Sequence, residues 1–197
     1  MQSFSRGMIA LHTVLILLVC LSCMSQKKAG IDKTLADQVH IEVDRIRVKS
    51  EQHVVQGDYK SALDLYAEAY RKYPNNQTLL KNYHKTIEDI HHAADEAFGR
   101  EDFTLSGRAY YVLLKNYPFF QELVPEVSFD EPFLQARLVD SSSHLSQRAL
   151  IEYRKGNLAE AISIWKSILL FDPKNADVMK AIDTTMTQMK NLQQNKE

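Results

Sequence analysis

Cysteine is nearly absent from this chain. Only Cys20 and Cys23 carry a thiol, and both lie in an apolar N-terminal run. Residues 24–197 therefore cannot hold an internal disulfide, a Cys-ligated zinc ion or a thiol nucleophile. Glycine occurs six times and proline five, too few for a β-sandwich built on many tight turns. Neither sign of charge dominates, since 24 basic and 25 acidic side chains leave a net charge of −1. With no basic stripe to release counterions from a phosphate backbone, a nucleic-acid partner is not expected. A Gly-rich phosphate loop and an HExxH pattern are also missing. Asp140-Ser141-Ser142-Ser143-His144 gathers serine, histidine and aspartate, but adjacency in sequence is not triad geometry. No catalytic residue and no enzyme activity are expected. What is present is ordinary globular composition, 45% hydrophobic and 25% charged, at a length suited to one domain.

The N-terminus reads as an address. One positive charge, Arg6, precedes an apolar stretch from Met8 to Leu21. That stretch is shorter than the roughly 20 residues a bilayer-spanning helix needs, and its flanks suit a secretory signal peptide. It runs into Val19-Cys20-Leu21-Ser22-Cys23, followed by polar Met24-Ser25-Gln26-Lys27-Lys28. This segment resembles the lipobox of bacterial lipoproteins, with small Ser22 before Cys23. The resemblance implies a signal peptide over 1–22, lipidation of Cys23 and a tether over 23–30. Cys20 stands where that family usually has Leu. Several acyl chains would hold the protein firmly, because one chain alone binds membranes only marginally. Met24-Ser25 lacks the Asp associated with inner-membrane retention, so the resemblance implies an outer-membrane anchor facing the periplasm.

The rest of the chain repeats itself. Tyr59, Phe103 and Leu158 each lie 15 residues before a proline, Pro74, Pro118 and Pro173. Small Ala62, Ser106 and Ala161 lie 12 before it, and the aromatics Tyr66, Tyr110 and Trp165 lie 8 before it. Gly57 and Gly156 precede the first and third copies, and Glu101 takes that place in the second. These residues resemble the tetratricopeptide repeat, a helical hairpin of about 34 residues. The resemblance implies an all-α fold of three helical-hairpin repeats. The glycines allow the turn between paired helices, the small residues let those helices approach, and each proline ends a second helix.

The spacing departs from the family unit. Pro74 to Pro118 is 44 residues and Pro118 to Pro173 is 55. The first helix of each pair is therefore expected to be extended by about three turns at its N-terminus. Leu79, Leu80, Tyr83, Ile87 and Ile90 mark one apolar face of such a helix. The expected boundaries are 31–76, 77–118 and 131–175, then a capping helix over 176–192 and a polar tail over 193–197. The additional residues of the longer interval form a loop near 119–130.

Three constellations are candidate sites. His84, Glu88, His91 and Asp95 fall within about 60° of one another on a helix. Alternating imidazole and carboxylate suits a metal or a pH response. A solvated face of i,i+4 His–acid pairs is the favoured explanation of the stripe, because no paired His spacing is diagnostic, and no cofactor or metal is expected. The second candidate is the aromatic and acidic stretch from Tyr117 to Phe133. It serves either as a docking loop or as a plug folded back on the repeats, and four exposed Phe would leave a large apolar patch. The third is the concave groove that the resemblance places at Asp44, Arg47, Glu51 and Val54, at Glu88, His91 and Asp95, and at Ser146, Gln147, Leu150 and Tyr153.

The expected function is that of a membrane-anchored scaffold whose groove binds envelope proteins, with self-association possible for so short a solenoid. The rival is a carrier of a small hydrophobic ligand.

Overall fold

In the computed structural model of the chain, residues 35–123 and 126–194 are described. The expected signal peptide, Cys23 and the 23–30 tether lie outside them, as do 31–34 of the first expected repeat and 195–197 of the tail. The chain divides into two compact units, Met1–Arg45 and Ile46–Glu197. The division falls inside the first expected repeat, 31–76. Described residues 35–45 of the first unit are helical, and their apolar Leu35 and Ile41 are 59% and 58% exposed.

The second unit is all-α among its described residues. Helical residues 46–55 (α1) are followed by α2 (Tyr59–Lys72), α3 (Gln77–Gly99), α4 (Phe103–Leu123), α5 (Glu131–Arg154), α6 (Leu158–Ile168) and α7 (Ala176–Gln194). From α3 to α7 each helix packs chiefly on its sequence neighbours. The long helices α3 and α5, 23 and 24 residues, carry the N-terminal extension that the spacing predicts.

Three interhelical turns are copies of one another. After α1, Gly57 N–H donates to Val54 O and Asp58 N–H to His53 O. After α3, Glu101 and Asp102 donate to Phe98 and Ala97, and after α5, Gly156 and Asn157 donate to Tyr153 and Glu152. This is the Schellman pattern, whose first residue must take a left-handed backbone. Gly57 has φ 72°, Gly156 φ 83° and Glu101 φ 60°. Glu101 thus takes the glycine's conformation without being glycine. The next residue then begins the following helix. Asp58 accepts from Ser61 N–H and Asp102 from Leu105 N–H, while the Asn157 amide instead donates to Glu152.

The prolines are not equivalent. Pro74 and Pro173 sit just after the first residue of a tight turn, closed by Asn76 N–H to Tyr73 O and Asn175 N–H to Asp172 O. That place suits a fixed φ, and the two asparagines go on to cap α3 and α7. Pro118 does not end its helix. It lies inside α4, which continues to Leu123. The reason is Phe120, two residues on: it is fully buried, so unwinding there would expose a large ring. The break expected at 118 therefore moves to the segment after 123, and the loop expected over 119–130 is shortened.

The repeat positions form the core. Ala62, Ser106 and Ala161 are each 0% exposed. Tyr66, Tyr110 and Trp165 are buried beside them, as are Tyr59, Phe103 and Leu158. Pro74, Pro118 and Pro173 are not buried. One packing residue has no counterpart in the repeat pattern. A Cβ on Gly107, in the second turn of α4, would lie 2.6 to 2.8 Å from the Phe171 ring.

Candidate partner-binding face

The candidate face is built on α3. Asn76 caps its start, and Leu79, Tyr83, Thr86, Ile87, Ile90, Ala94 and Ala97 turn into the core. The 3.6-residue period then leaves His84, Glu88, His91 and Asp95 together on another face. His84 Nε2 lies 3.7 Å from Glu88 Oε1, and His91 Nε2 lies 3.5 Å from Asp95 Oδ2. Asp95 also accepts a hydrogen bond from the Tyr110 hydroxyl of α4. Burial, reinforced by that donation to a carboxylate, pushes the Tyr110 phenol above its ordinary range. Among the described residues, no three His, Cys, Asp or Glu side chains are grouped so as to hold a metal ion.

This face already holds a piece of the chain. Residues 126–130, between α4 and α5, are neither helix nor strand. Ser128 grips Glu88 twice, with its N–H donating to Oε1 at 2.8 Å and its hydroxyl to Oε2 at 2.5 Å. The Ser128 oxygen also lies 3.1 Å from His91 Nδ1. The next residue, Phe129, is 7% exposed, and its ring centroid is 4.5 Å from that of His91. Asp130 then caps α5 by accepting from Phe133 N–H. Of the two readings of the aromatic stretch, most of its Phe rings pack inward: Phe120 and Phe129 are buried and Phe133 half-buried, while Phe119 stays 37% exposed.

From there, ring contacts, mostly edge-to-face, and one guanidinium run between α3, α4 and α5. Phe133 contacts His91 at 5.4 Å, and Arg137 lies over Phe133 and Phe98 at 5.1 and 4.6 Å. Phe98 meets Phe103 at 5.3 Å, and His144 stacks on Phe103 at 4.2 Å with the planes 2° apart. His144 therefore serves as a ring against Phe103. A guanidinium between two aromatic faces gains from both ring quadrupoles.

The other groove residues are placed separately. Arg47 and Glu51 of α1 form a two-oxygen ion pair at 3.0 Å. Tyr153 donates to Gln188 of α7 at 2.7 Å and packs near Trp165, while Leu150 is exposed. Asp44 falls in the first unit. The sequence alone does not single out Ser128, Arg137 or Phe98, whereas Phe129 and Phe133 belong to the aromatic stretch. Nothing local marks Ser128, whose partners lie 40 and 37 positions away.

A surface cavity of about 830 Å³ between α4, α5 and α6 is lined by Arg100, Glu101, Asp102, Arg148, Ser163 and Ser167, among others. Charged and hydroxylic walls are a poor container for an apolar molecule. No helix among the described residues is long and apolar enough to cross a membrane. No family model, no curated protein and no solved structure matches this chain.

Proposed function

We propose that this chain is a lipid-anchored scaffold of the cell envelope, related in design to tetratricopeptide-repeat lipoproteins, that binds an extended segment of another protein. The observation that carries this reading is the grip of Glu88 and His91 on residues 126–130. That face has the chemistry to hold non-helical chain: a carboxylate for backbone and hydroxyl donors beside a shelf for an aromatic ring. Leu150, exposed on α5, offers further contact surface. The anchor rests on Ser22-Cys23 after an apolar run, and the choice of an outer over an inner membrane on Met24-Ser25.

The test is crosslinking in the native host, then affinity purification of the full-length chain and mass spectrometry. Recovery of a defined envelope complex, lost on Glu88→Ala with Leu150→Asp, is the expected result. Recovery of an apolar small molecule and no protein replaces the scaffold with a carrier. Cys23→Ala should move the protein from the membrane to the soluble fraction, and unchanged fractionation overturns the anchor.

A further inference from the structure

We infer that residues 126–130 are a stand-in for the partner, so that the α3 face selects an extended segment with Ser or Thr followed directly by an aromatic residue, and this strap must leave before such a segment binds. The inference rests on the scaffold reading and gives it a ligand class and a built-in competitor.

The chemistry of the grip defines the class. Glu88 presents two acceptor oxygens, and Ser128 meets both, one through its backbone N–H and one through its hydroxyl. A carboxylate in that place repels Asp or Glu and leaves Ala short of one donor. A hydroxyl residue supplies the second proton from so short a side chain, as Ser128 does here. The ring at the next position is fixed as closely. His91 forms its shelf and is itself packed edge-on by Phe133, and Tyr117 and Phe120 also lie against the Phe129 ring. Such a shelf accepts Phe, Tyr or Trp and leaves an unfilled space beneath a small residue.

The attachment is also one that can be exchanged. Strap residues 126, 128 and 130 are exposed, and Glu88 keeps 30% of its side-chain surface in solvent. Apart from Asp130, which caps α5, the hold of the strap is concentrated in the Phe129 ring and in the two donors that Ser128 gives to Glu88, and a segment arriving in trans can supply both. While the strap is seated it has the advantage of being joined to the face it occupies, at a high effective concentration.

The experiment uses the full chain and a synthetic peptide with the sequence of residues 126–133. Ser128→Ala combined with Phe129→Ala releases the strap, and peptide binding is followed by fluorescence anisotropy. The released variant should bind the peptide at least tenfold more tightly than wild type does, and adding Glu88→Gln should remove that binding. Should the released variant be poorly folded, its melting temperature is read with and without peptide, and a peptide-dependent rise carries the same meaning. Equal affinity for wild type and released variant, or no binding and no rise in melting temperature, overturns the inference. Peptide binding with no envelope protein captured in the host would instead sink the scaffold reading alone.

Discussion

Gly107 and Phe171 occupy each other's space. The glycine has no side chain at the point where the ring presses on α4, and a Cβ there would stand 2.6 Å from one ring carbon. Phe171 is 2% exposed, so the ring is walled in and cannot swing away. On propensity alone, alanine at a helix interior gains roughly 1 kcal/mol over glycine. Overpacking a closed core costs about 1–3 kcal/mol. The second effect should win, so Gly107→Ala is expected to lower unfolding stability in urea. Pairing it with Phe171→Leu should cost less than the two single changes summed. A Gly107→Ala protein as stable as wild type would contradict the close approach.

Glu101 offers the opposite case. It holds φ 60° in a turn whose two copies use Gly57 and Gly156. A left-handed backbone costs a residue with a Cβ about 1–2 kcal/mol, partly offset by the greater freedom glycine loses on folding. Glu101→Gly should therefore stabilise the protein by about 0.5–1 kcal/mol. Gly156→Ala should destabilise it, although its Cβ would meet nothing within 4 Å. The effect there is conformational, not steric. Thermal melts of both variants check the pair, and a shift in the same direction for both would refute the equivalence of the turns.

How far the fold can be read from the residues depends on the range of the forces involved. Pro74 and Pro173 announce turns because Asn76 and Asn175 stand two residues on at the capping position, an interaction that spans only a few residues. Pro118 has the same spacing from its repeat but is followed by Phe119-Phe120, and burial of Phe120 carries the helix past it. Helix period alone puts Glu88, His91 and Asp95 on one face. What lies on that face is not legible, because Ser128 reaches Glu88 only once α4 and α5 are folded. Gly107 is silent for a related reason, since the ring that requires it lies 64 positions on (171 − 107) in the turn after α6.

The repeat aromatics are expected to dominate stability. Tyr66 is 1% exposed, stacks on Tyr83 at 5.1 Å and accepts a hydrogen bond from Thr86. Trp165 is 4% exposed among Leu145, Ala149, Ile168 and Ile182. Truncating either to alanine removes buried ring surface and leaves a cavity, a change that costs about 3–5 kcal/mol. Tyr66→Phe should cost far less, since it keeps the stack and loses one hydroxyl. Wild-type melting of Tyr66→Ala or Trp165→Ala would refute their place in the core.

Asp58 links the first turn to pH. Its side chain accepts from Ser61 at the start of α2, and His53 Nδ1 lies 3.2 Å from its second oxygen. Hydrogen bonding by the Ser61 side chain, joined by the Ser61 N–H and the nearby His53, holds the carboxyl below its ordinary value of 3.8. A carboxyl depressed in the folded state stabilises above its unfolded value, and that contribution disappears as pH falls through the folded one. Asp58→Asn keeps an N-cap acceptor but cannot titrate, so it separates capping from charge. Wild type should lose stability relative to Asp58→Asn as the pH is lowered from about 5 toward roughly 2, with the curves parallel above that range. Asp58→Ala should cost about 1 kcal/mol at neutral pH, because Ser61 N–H then loses its acceptor. If wild type and Asp58→Asn stay parallel through the acid range, the carboxylate contributes no charge-dependent stability and the cap acts through its acceptor oxygen without its charge.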